Sequence, residues 1–212
     1  MARRQKKIQR CQVWDAPTRV FHWLMVFGFT TCYLTGDNDR WALTHITAGY
    51  MVLGLILFRL FWGFIGTRHA RFRNFICGPR AVVDYVVCLC RNNTKHYAGH
   101  NPAGAIAIFA LILLGLLVTV SGIMVNEDMN YPRLEEIHDI SSNTMLAIVF
   151  IHIAGVIISS FLHRENLIGA MISGCKPNCE SESIGQNYRW LGFIIAILTG
   201  LFWIWSFKEK IL

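Results

Sequence analysis

Five long apolar segments restrict the fold of this 212-residue chain more than any other feature. A helix needs about 20 predominantly apolar residues to cross the hydrocarbon core of a bilayer. Hydrophobic residues make up 54% of the chain and are concentrated in these segments, while charged residues make up only 16%. The sequence therefore predicts an all-α integral membrane protein with a bundle of four transmembrane helices and a fifth, C-terminal one. The predicted spans are roughly Phe21–Leu34 with its flanks, Leu43–Ile65, Ala103–Val125, Asn143–Leu162 and Tyr188–Phe207.

The charged residues between these spans are separated by sign. Lysine and arginine precede the first span and fill the connection between the second and third, whereas the other two short loops are acidic. Because basic residues are retained on the cytoplasmic side, we expect a cytoplasmic N-terminus, outer acidic loops and no nucleic-acid partner. The basic residues are Arg3, Arg4, Lys6, Lys7, Arg10, Arg68, Arg71, Arg73, Arg80, Arg91 and Lys95; the acidic ones are Asp37, Asp39, Glu127, Asp128, Glu135, Glu136 and Asp139.

Four histidines lie in the apolar segments at two matching depths. His138 and His152 are fourteen residues apart, which on one α-helix separates them by about 40° around the axis and about 21 Å along it. His22 lies near the inner end of the first span and His45 near the outer end of the second, so depth pairs His22 with His152 and His45 with His138. Low-spin haem iron binds two imidazole nitrogens. The sequence therefore predicts two bis-histidine haems stacked across the membrane, an arrangement that can carry electrons between its faces.

Two arginines accompany the inner pair of histidines. Arg59 follows His45 by fourteen residues and so shares its helix face at the inner depth, while Arg19 precedes His22 by three residues. An arginine at such a depth is unfavourable unless it reaches the interface or pairs with an anion. We expect Arg19 and Arg59 to bind the propionate groups of the inner haem. Weaker candidates for the outer haem are Arg40 and Arg133.

The remaining histidines lie in the predicted cytoplasmic connections or at a helix end. We expect these side chains to be solvated rather than to act as ligands. His163 and Arg164 lie near the inner interface and are candidates to line a quinone site. The other three are His69, His96 and His100.

The cytoplasmic connections contain two further features. Gly78–Arg91 places apolar residues among charged ones and predicts a short helix on the inner membrane surface. The CKPNC motif, with Cys175 and Cys179, resembles a metal or redox pair, but one C-x3-C without a second pair is weak evidence. Because cytoplasmic thiols stay reduced, we expect free thiols on this side. The cysteines concerned are Cys77, Cys88, Cys90, Cys175 and Cys179.

Several segments in order resemble the bacterial cytochrome b561 family, most closely its branch with nickel–iron hydrogenase b-type subunits. They are WDAPTRVFHW, FRLFWG, GPRAVVDYV, HYAGHNPAGA and IHDISSNTMLAIVFIHIAGVIISSFLHRENLIGAMISG, within residues 13–174. The resemblance implies a helical bundle with two b-type haems, whose ligands fall on His22, His45, His138 and His152. It also implies a di-haem domain over residues 1–174, with 175–212 adding a cytoplasmic loop and an extra helix. The spacer TGDNDRW is shorter than in many hydrogenase subunits.

These observations predict electron transfer in a bacterial cytoplasmic membrane, between the quinone pool and a periplasmic redox protein such as a c-type cytochrome or a hydrogenase. Membrane lipid surrounds the bundle, and the fifth helix could dock a partner or a second copy. One alternative is a superoxide:quinone oxidoreductase, which the acidic outer loops disfavour because they repel an anion. A more remote one is a haem-free ion-binding or transport subunit.

Overall fold

The computed structural model describes residues 10–91, 97–127, 129, 131–177 and 183–209. Within these ranges the chain is predominantly helical, which confirms the all-α prediction. The helices are α1 Ala16–Thr35, α2 Ala42–Ile65, α3 Pro79–Cys90, α4 Pro102–Asn126, α5 Leu134–His163, α6 Leu167–Ser173 and α7 Arg189–Glu209; the strands are β1 Arg10–Gln12 and β2 Cys175–Pro177.

Four segments of the described chain are long and apolar enough to cross a membrane. They include all of α2, α4 and α5 and nearly all of α7, so the protein is a multi-pass membrane protein. The first predicted span, α1, is not among them. The four segments are Asp39–Ile65, Pro102–Asn126, Leu134–His163 and Arg189–Lys208.

Although α1 falls outside that set, it lies antiparallel to α2 along its whole length. At one end, the Asp15 carboxylate accepts a hydrogen bond from Trp62 Nε1 at 3.1 Å. In the middle, a Cβ added to Gly28 would lie 2.8 Å from Val52 Cγ2, so glycine permits this close approach. At the other end, α1 contacts the imidazole of His45. The 20 residues of α1 extend about 30 Å, so α1 covers the same thickness as the neighbouring span.

The start of α1 is fixed by a fully buried carboxylate. Asp15 is the N-cap residue and is 0% exposed. Its Oδ1 accepts a hydrogen bond from the Thr18 N–H at 2.7 Å, which satisfies one of the free donors of the first turn. Its Oδ2 accepts from Trp62 Nε1 and from Thr67 Oγ1 at 2.6 Å. One side chain therefore starts α1 and joins it to the end of α2.

The helices pack in the spatial order α7–α1–α2–α4–α5. Helix α7 packs on α1 and α2, α4 packs on α2, and α5 packs chiefly on α4. Small residues permit two of these contacts: a Cβ on Gly115 would lie 2.6 Å from Ile56 Cδ1, and one on Gly192 would lie 3.2 Å from the Ala16 Cβ. Helix α5 therefore joins the rest of the bundle chiefly through α4.

The end of the bundle at which α1 begins and α2 ends, here called the inner end, contains elements that the sequence did not reveal. β1 pairs antiparallel with β2, with Cys11 opposite Lys176. Three-residue strands are too short to show an alternating pattern. The short α6 follows a left-handed residue, Arg164 with φ 53°, which ends α5 and turns the chain. By contrast, α3 agrees with the helix predicted at 78–91.

The cysteines of this end divide into two classes. Cys77, Cys88 and Cys175 are free thiols, as the sequence predicts. Cys11, in β1 at the same end, is disulfide-bonded, which the compartment argument did not foresee. The predictions for Cys90 and Cys179 fall on side chains outside the described part of the chain.

Candidate cofactor site

The first turn of α2 and the second turn of α5 bring two imidazoles together. The ring centroids of His45 and His138 are 6.2 Å apart, with an angle of 73° between the ring planes. Two imidazole nitrogens that share one metal ion each lie about 2.0 Å from it, which places the ring centroids about 6 Å apart. The spacing of this outer pair therefore suits a single metal ion between the two rings.

Hydrogen bonds orient both rings of the outer pair. His45 Nδ1 lies 2.9 Å from the Cys32 carbonyl oxygen, and His138 Nδ1 lies 3.0 Å from the Val118 carbonyl oxygen. A carbonyl only accepts, so both Nδ1 atoms carry the proton and donate it. The lone pair of each Nε2 is then left for a metal, as in metal-binding histidines whose second nitrogen bonds a backbone carbonyl. The backbone thus selects the tautomer required of a ligand.

Two glycines make room for these rings. A Cβ on Gly122 of α4 would lie 2.8 Å from His138 Cε1, closer than real Cβ contacts allow. A Cβ on Gly36, just after α1, would lie 3.4 Å from His45 Cε1. Only a residue without a side chain at position 122 leaves His138 in its present position.

The inner pair, His22 of α1 and His152 of α5, is arranged differently. The two imidazoles interact electrostatically, and both side chains are half-buried. His22 also packs edge-on against Trp23, with ring centroids 5.1 Å apart. Its buried Nδ1 has no hydrogen-bond partner within the described chain. Helix α5 therefore carries one histidine of each pair, at two levels about 21 Å apart.

A glycine leaves open space next to one histidine of each pair. A Cβ added to Gly49, one turn after His45, would meet no atom within 4 Å, and the same holds for Gly155, three residues after His152. A flat macrocycle could approach the backbone at these positions. Across the described ranges, no group of three or more His, Cys, Asp or Glu side chains could hold a metal ion. Haem iron needs only two protein ligands, because the macrocycle supplies the others.

The predicted propionate-binding arginines have different surroundings. Arg19 Nη1 donates to the Ile172 carbonyl oxygen of α6 at 2.7 Å, so part of its guanidinium joins α1 to α6. Arg59 is only 3% exposed, and its Cζ lies 4.7 Å from the centroid of the Phe72 ring. The candidates for the outer haem, Arg40 and Arg133, are exposed.

Two histidines that we expected to be solvated are packed into the inner end, so that prediction is wrong for them. His69 is 7% exposed. The His100 ring lies between Trp14 and Phe75, at centroid distances of 4.7 and 4.5 Å. Burial and nearby cationic groups lower the pKa of His100 well below its usual value. The local sequence does not indicate that His100 is packed in this way, because Trp14 is far away along the chain. His163 is half-buried, and His96 lies outside the described residues.

Comparisons with known proteins identify the family of this chain. A family model described as prokaryotic cytochrome b561 matches residues 13–174. The probable Ni/Fe-hydrogenase B-type cytochrome subunit of Rhodobacter capsulatus is 25% identical over 208 residues, covering 76% of this chain and 79% of the relative. The protein of that name from Rhizobium leguminosarum bv. viciae is 25% identical over 218 residues, covering 80% and 91%. No solved structure matches. Since the family model spans most of its length, this chain belongs to the prokaryotic cytochrome b561 family.

Proposed function

We propose that the protein binds two b haems, one between His45 and His138 and one between His22 and His152, and conducts electrons from a quinone to a periplasmic redox protein or in reverse. Family membership implies b-type haem and transmembrane electron transfer. The proposal adds the number of haems, the ligands and the two electron-exchanging partners. One observation carries it: α5 presents a histidine to each of two imidazoles at two levels of the bundle.

The residues of the outer pair support a bis-histidine haem site. The Cys32 and Val118 carbonyls keep the protons of His45 and His138 on Nδ1, which leaves both Nε2 lone pairs available to a metal. When bound at the two levels, haem b would supply reversible one-electron chemistry near each face of the membrane. The chain's part is to fix ring orientation, to keep the sites apolar and to set their spacing through one continuous helix, α5.

The inner end supports a quinone site. Half-buried His163 lies at the end of α5, eleven residues beyond His152, and the exposed Arg164 follows it. This end also carries the basic side chains, which by the positive-inside rule supports a cytoplasmic location for it. A quinone reaching the inner haem from the lipid would meet groups that can exchange protons with it. The described basic residues here include Arg68, Arg71, Arg73, Arg80 and Arg91.

The opposite end supports a protein partner with a basic docking face. The acidic side chains around the outer pair are exposed, and such a rim attracts a cationic protein. A basic c-type cytochrome has this property, and the names of the relatives make a hydrogenase another candidate. The exposed acidic residues are Asp37, Asp39, Glu127, Glu135, Glu136 and Asp139.

A haem count and a directional assay test the proposal. We expect a pyridine haemochrome assay to give two b haems per chain, with low-spin α-bands in reduced-minus-oxidised spectra. In proteoliposomes of known orientation, a quinol should reduce an added basic c-type cytochrome only on the side of the acidic loops. One haem per chain, or no reduction of an outer acceptor, would contradict it. Rapid oxidation or reduction by superoxide would instead favour the oxidoreductase alternative.

We expect Gly122→Ala to disturb the outer haem alone. The new Cβ would press on His138 and displace its ring from the Val118 carbonyl. Loss of such an orienting hydrogen bond weakens metal-site binding by about 10- to 100-fold. The measurement is haem retention in detergent, together with the electron paramagnetic resonance g-values of the low-spin haems. Gly54→Ala, on α2 with no atom within 4 Å of its added Cβ, is the control. Identical g-values for both variants would contradict the expectation.

A further inference from the structure

Three polar side chains meet at the inner end of the bundle outside the histidine pairs. They are Arg59 of α2, His100 just before α4, and Lys176 of β2, here called the inner polar cluster. His100 interacts electrostatically with both cations. Arg59 is 3% and Lys176 5% exposed. Charged groups are almost never buried this deeply unless they are paired, so each member needs an acceptor or a counter-ion.

An aromatic frame holds two members of the cluster in place. Arg59 Cζ lies 4.7 Å from the Phe72 ring centroid, and the Phe72 and Phe75 rings are 5.9 Å apart. Phe75 in turn contacts His100, which also lies against Trp14. Side chains packed this way lose little further entropy when they bind a ligand. The frame therefore fixes the direction of the Arg59 and His100 donors.

Lys176 already has its partners. Its Nζ donates to the Tyr97 carbonyl oxygen at 3.1 Å and lies 3.6 Å from Glu165 Oε2. The ammonium is thus satisfied by groups of the inner end. It adds positive charge to the cluster without presenting an unmet donor.

Arg59 and His100 differ from Lys176 in this respect. Arg59 Nη1 and His100 Nδ1 are buried and have no hydrogen-bond partner in the described part of the chain. Asp15 attracts Arg59 electrostatically, but its oxygens accept hydrogen bonds from Thr18, Trp62 and Thr67. Asp15 therefore offsets the charge of Arg59 and leaves its Nη1 without an acceptor. A buried donor without a partner is unfavourable, because it has given up its hydrogen bonds to water and gained none in the protein.

The position of His100 indicates which acceptor is missing. Its imidazole interacts electrostatically with Arg59 and also with His152 of the inner pair. A haem b held by His22 and His152 carries two carboxylates on its edge. Resting on the proposed function, we infer that Arg59 and His100 together bind one propionate of the inner haem, with His100 as a haem-binding residue not evident from the sequence.

The two residues contribute differently. Arg59 supplies positive charge and a charge-assisted hydrogen bond, the strongest class available to a carboxylate. Burial and the neighbouring cations lower the pKa of His100, so its imidazole is neutral at pH 7 and supplies an N–H donor. Loss of either contact leaves the carboxylate less well compensated. Its negative charge then favours the ferric state, so the midpoint potential of the inner haem falls.

Potentiometric titration of both haems in membranes tests this inference. We expect Arg59→Gln and His100→Leu to lower the potential of one haem, the one absent from His152→Ala, and to leave the other unchanged. The expected shift corresponds to about a tenfold change in the reduction equilibrium, or about 59 mV for one electron. His100→Asn retains an N–H donor near the Nδ1 position and should restore most of the potential. Arg73→Gln, which removes an exposed arginine from the same end, is the control.

Loading with haem dimethyl ester identifies the acceptor. The ester has no carboxylate charge, so the difference between His100→Leu and the unmodified chain should shrink to less than half with this haem. An unchanged difference, or loss of quinol-driven reduction with both potentials intact, would assign the donors to another ligand such as the quinone and overturn the inference. A chain that binds fewer than two haems before any substitution would instead contradict the proposed function, so the two failures are distinguishable.

Discussion

Replacing His45 with alanine is expected to remove one of the two haems and to slow transmembrane electron transfer by about 100-fold or more. Loss of a group that merely orients a metal ligand weakens such sites by about 10- to 100-fold, and loss of the ligand itself has a larger effect. The measurements are haem per chain by pyridine haemochrome and the rate of quinol-driven reduction of an outer acceptor. His163→Ala, a change on α5 outside both pairs, should retain both haems.

Double variants test the pairing as well as the identity of the ligands. His45 and His138 lie 6.2 Å apart between ring centroids, so removing both should leave one haem, as each single variant does. Removing His45 and His152 together should leave none, because each pair loses a member. Two low-spin haems in His152→Ala, or no haem in the His45/His138 double variant, would show that the pairing is wrong.

Replacing Asp15 with alanine is expected to destabilise the fold by about 3 kcal/mol or more. The change removes an N-cap, worth about 0.5–2 kcal/mol, and leaves the donors of Trp62 and Thr67 buried without their acceptor, at about 1–3 kcal/mol each. It also removes the carboxylate that compensates Arg59. Thermal unfolding in detergent, followed by tryptophan fluorescence, should show a fall in Tm of about 6 °C or more.

Two further substitutions serve as comparisons for Asp15→Ala. Asp15→Asn keeps an oxygen for the Thr18 N–H and a good N-cap side chain, so it should be intermediate. Asp37→Ala removes an exposed carboxylate from the outer loop and should leave Tm unchanged. Equal Tm values for Asp15→Ala and Asp37→Ala would refute the structural role of Asp15.

The membrane fold and the choice of histidines follow from local sequence. Apolar length alone predicts α2, α4, α5 and α7, since every backbone group of a helix in lipid must be satisfied within it. The separation of His138 from His152 is also a local property, because one helix converts fourteen residues into a fixed rise and angle. Helix α5 begins at Leu134, nine residues before the predicted span, because its polar first turns lie outside the apolar core.

Contacts between distant parts of the chain could not be predicted in this way. The β1–β2 pairing joins residues about 165 positions apart, and neither strand has a pattern of its own. His69 and His100 lie in segments that are polar by sequence, yet Trp14 and Phe75 cover His100 in the folded chain. Whether a histidine is buried depends on which distant residues pack against it. The local sequence therefore does not distinguish a solvated loop histidine from a buried one.

The sequence by itself determined that this chain crosses a membrane, that four histidines lie at two depths, and which family it resembles. Hydropathy, helical rise and short motifs are all local properties, so each can be read from consecutive residues. Only the tertiary structure decided that the Cys32 and Val118 carbonyls leave both outer Nε2 atoms free, that Gly122 admits the His138 ring, and that Arg59 and His100 share an aromatic frame. These features depend on which helices pack side by side, and that choice is made by side-chain shape across the bundle rather than by local propensity.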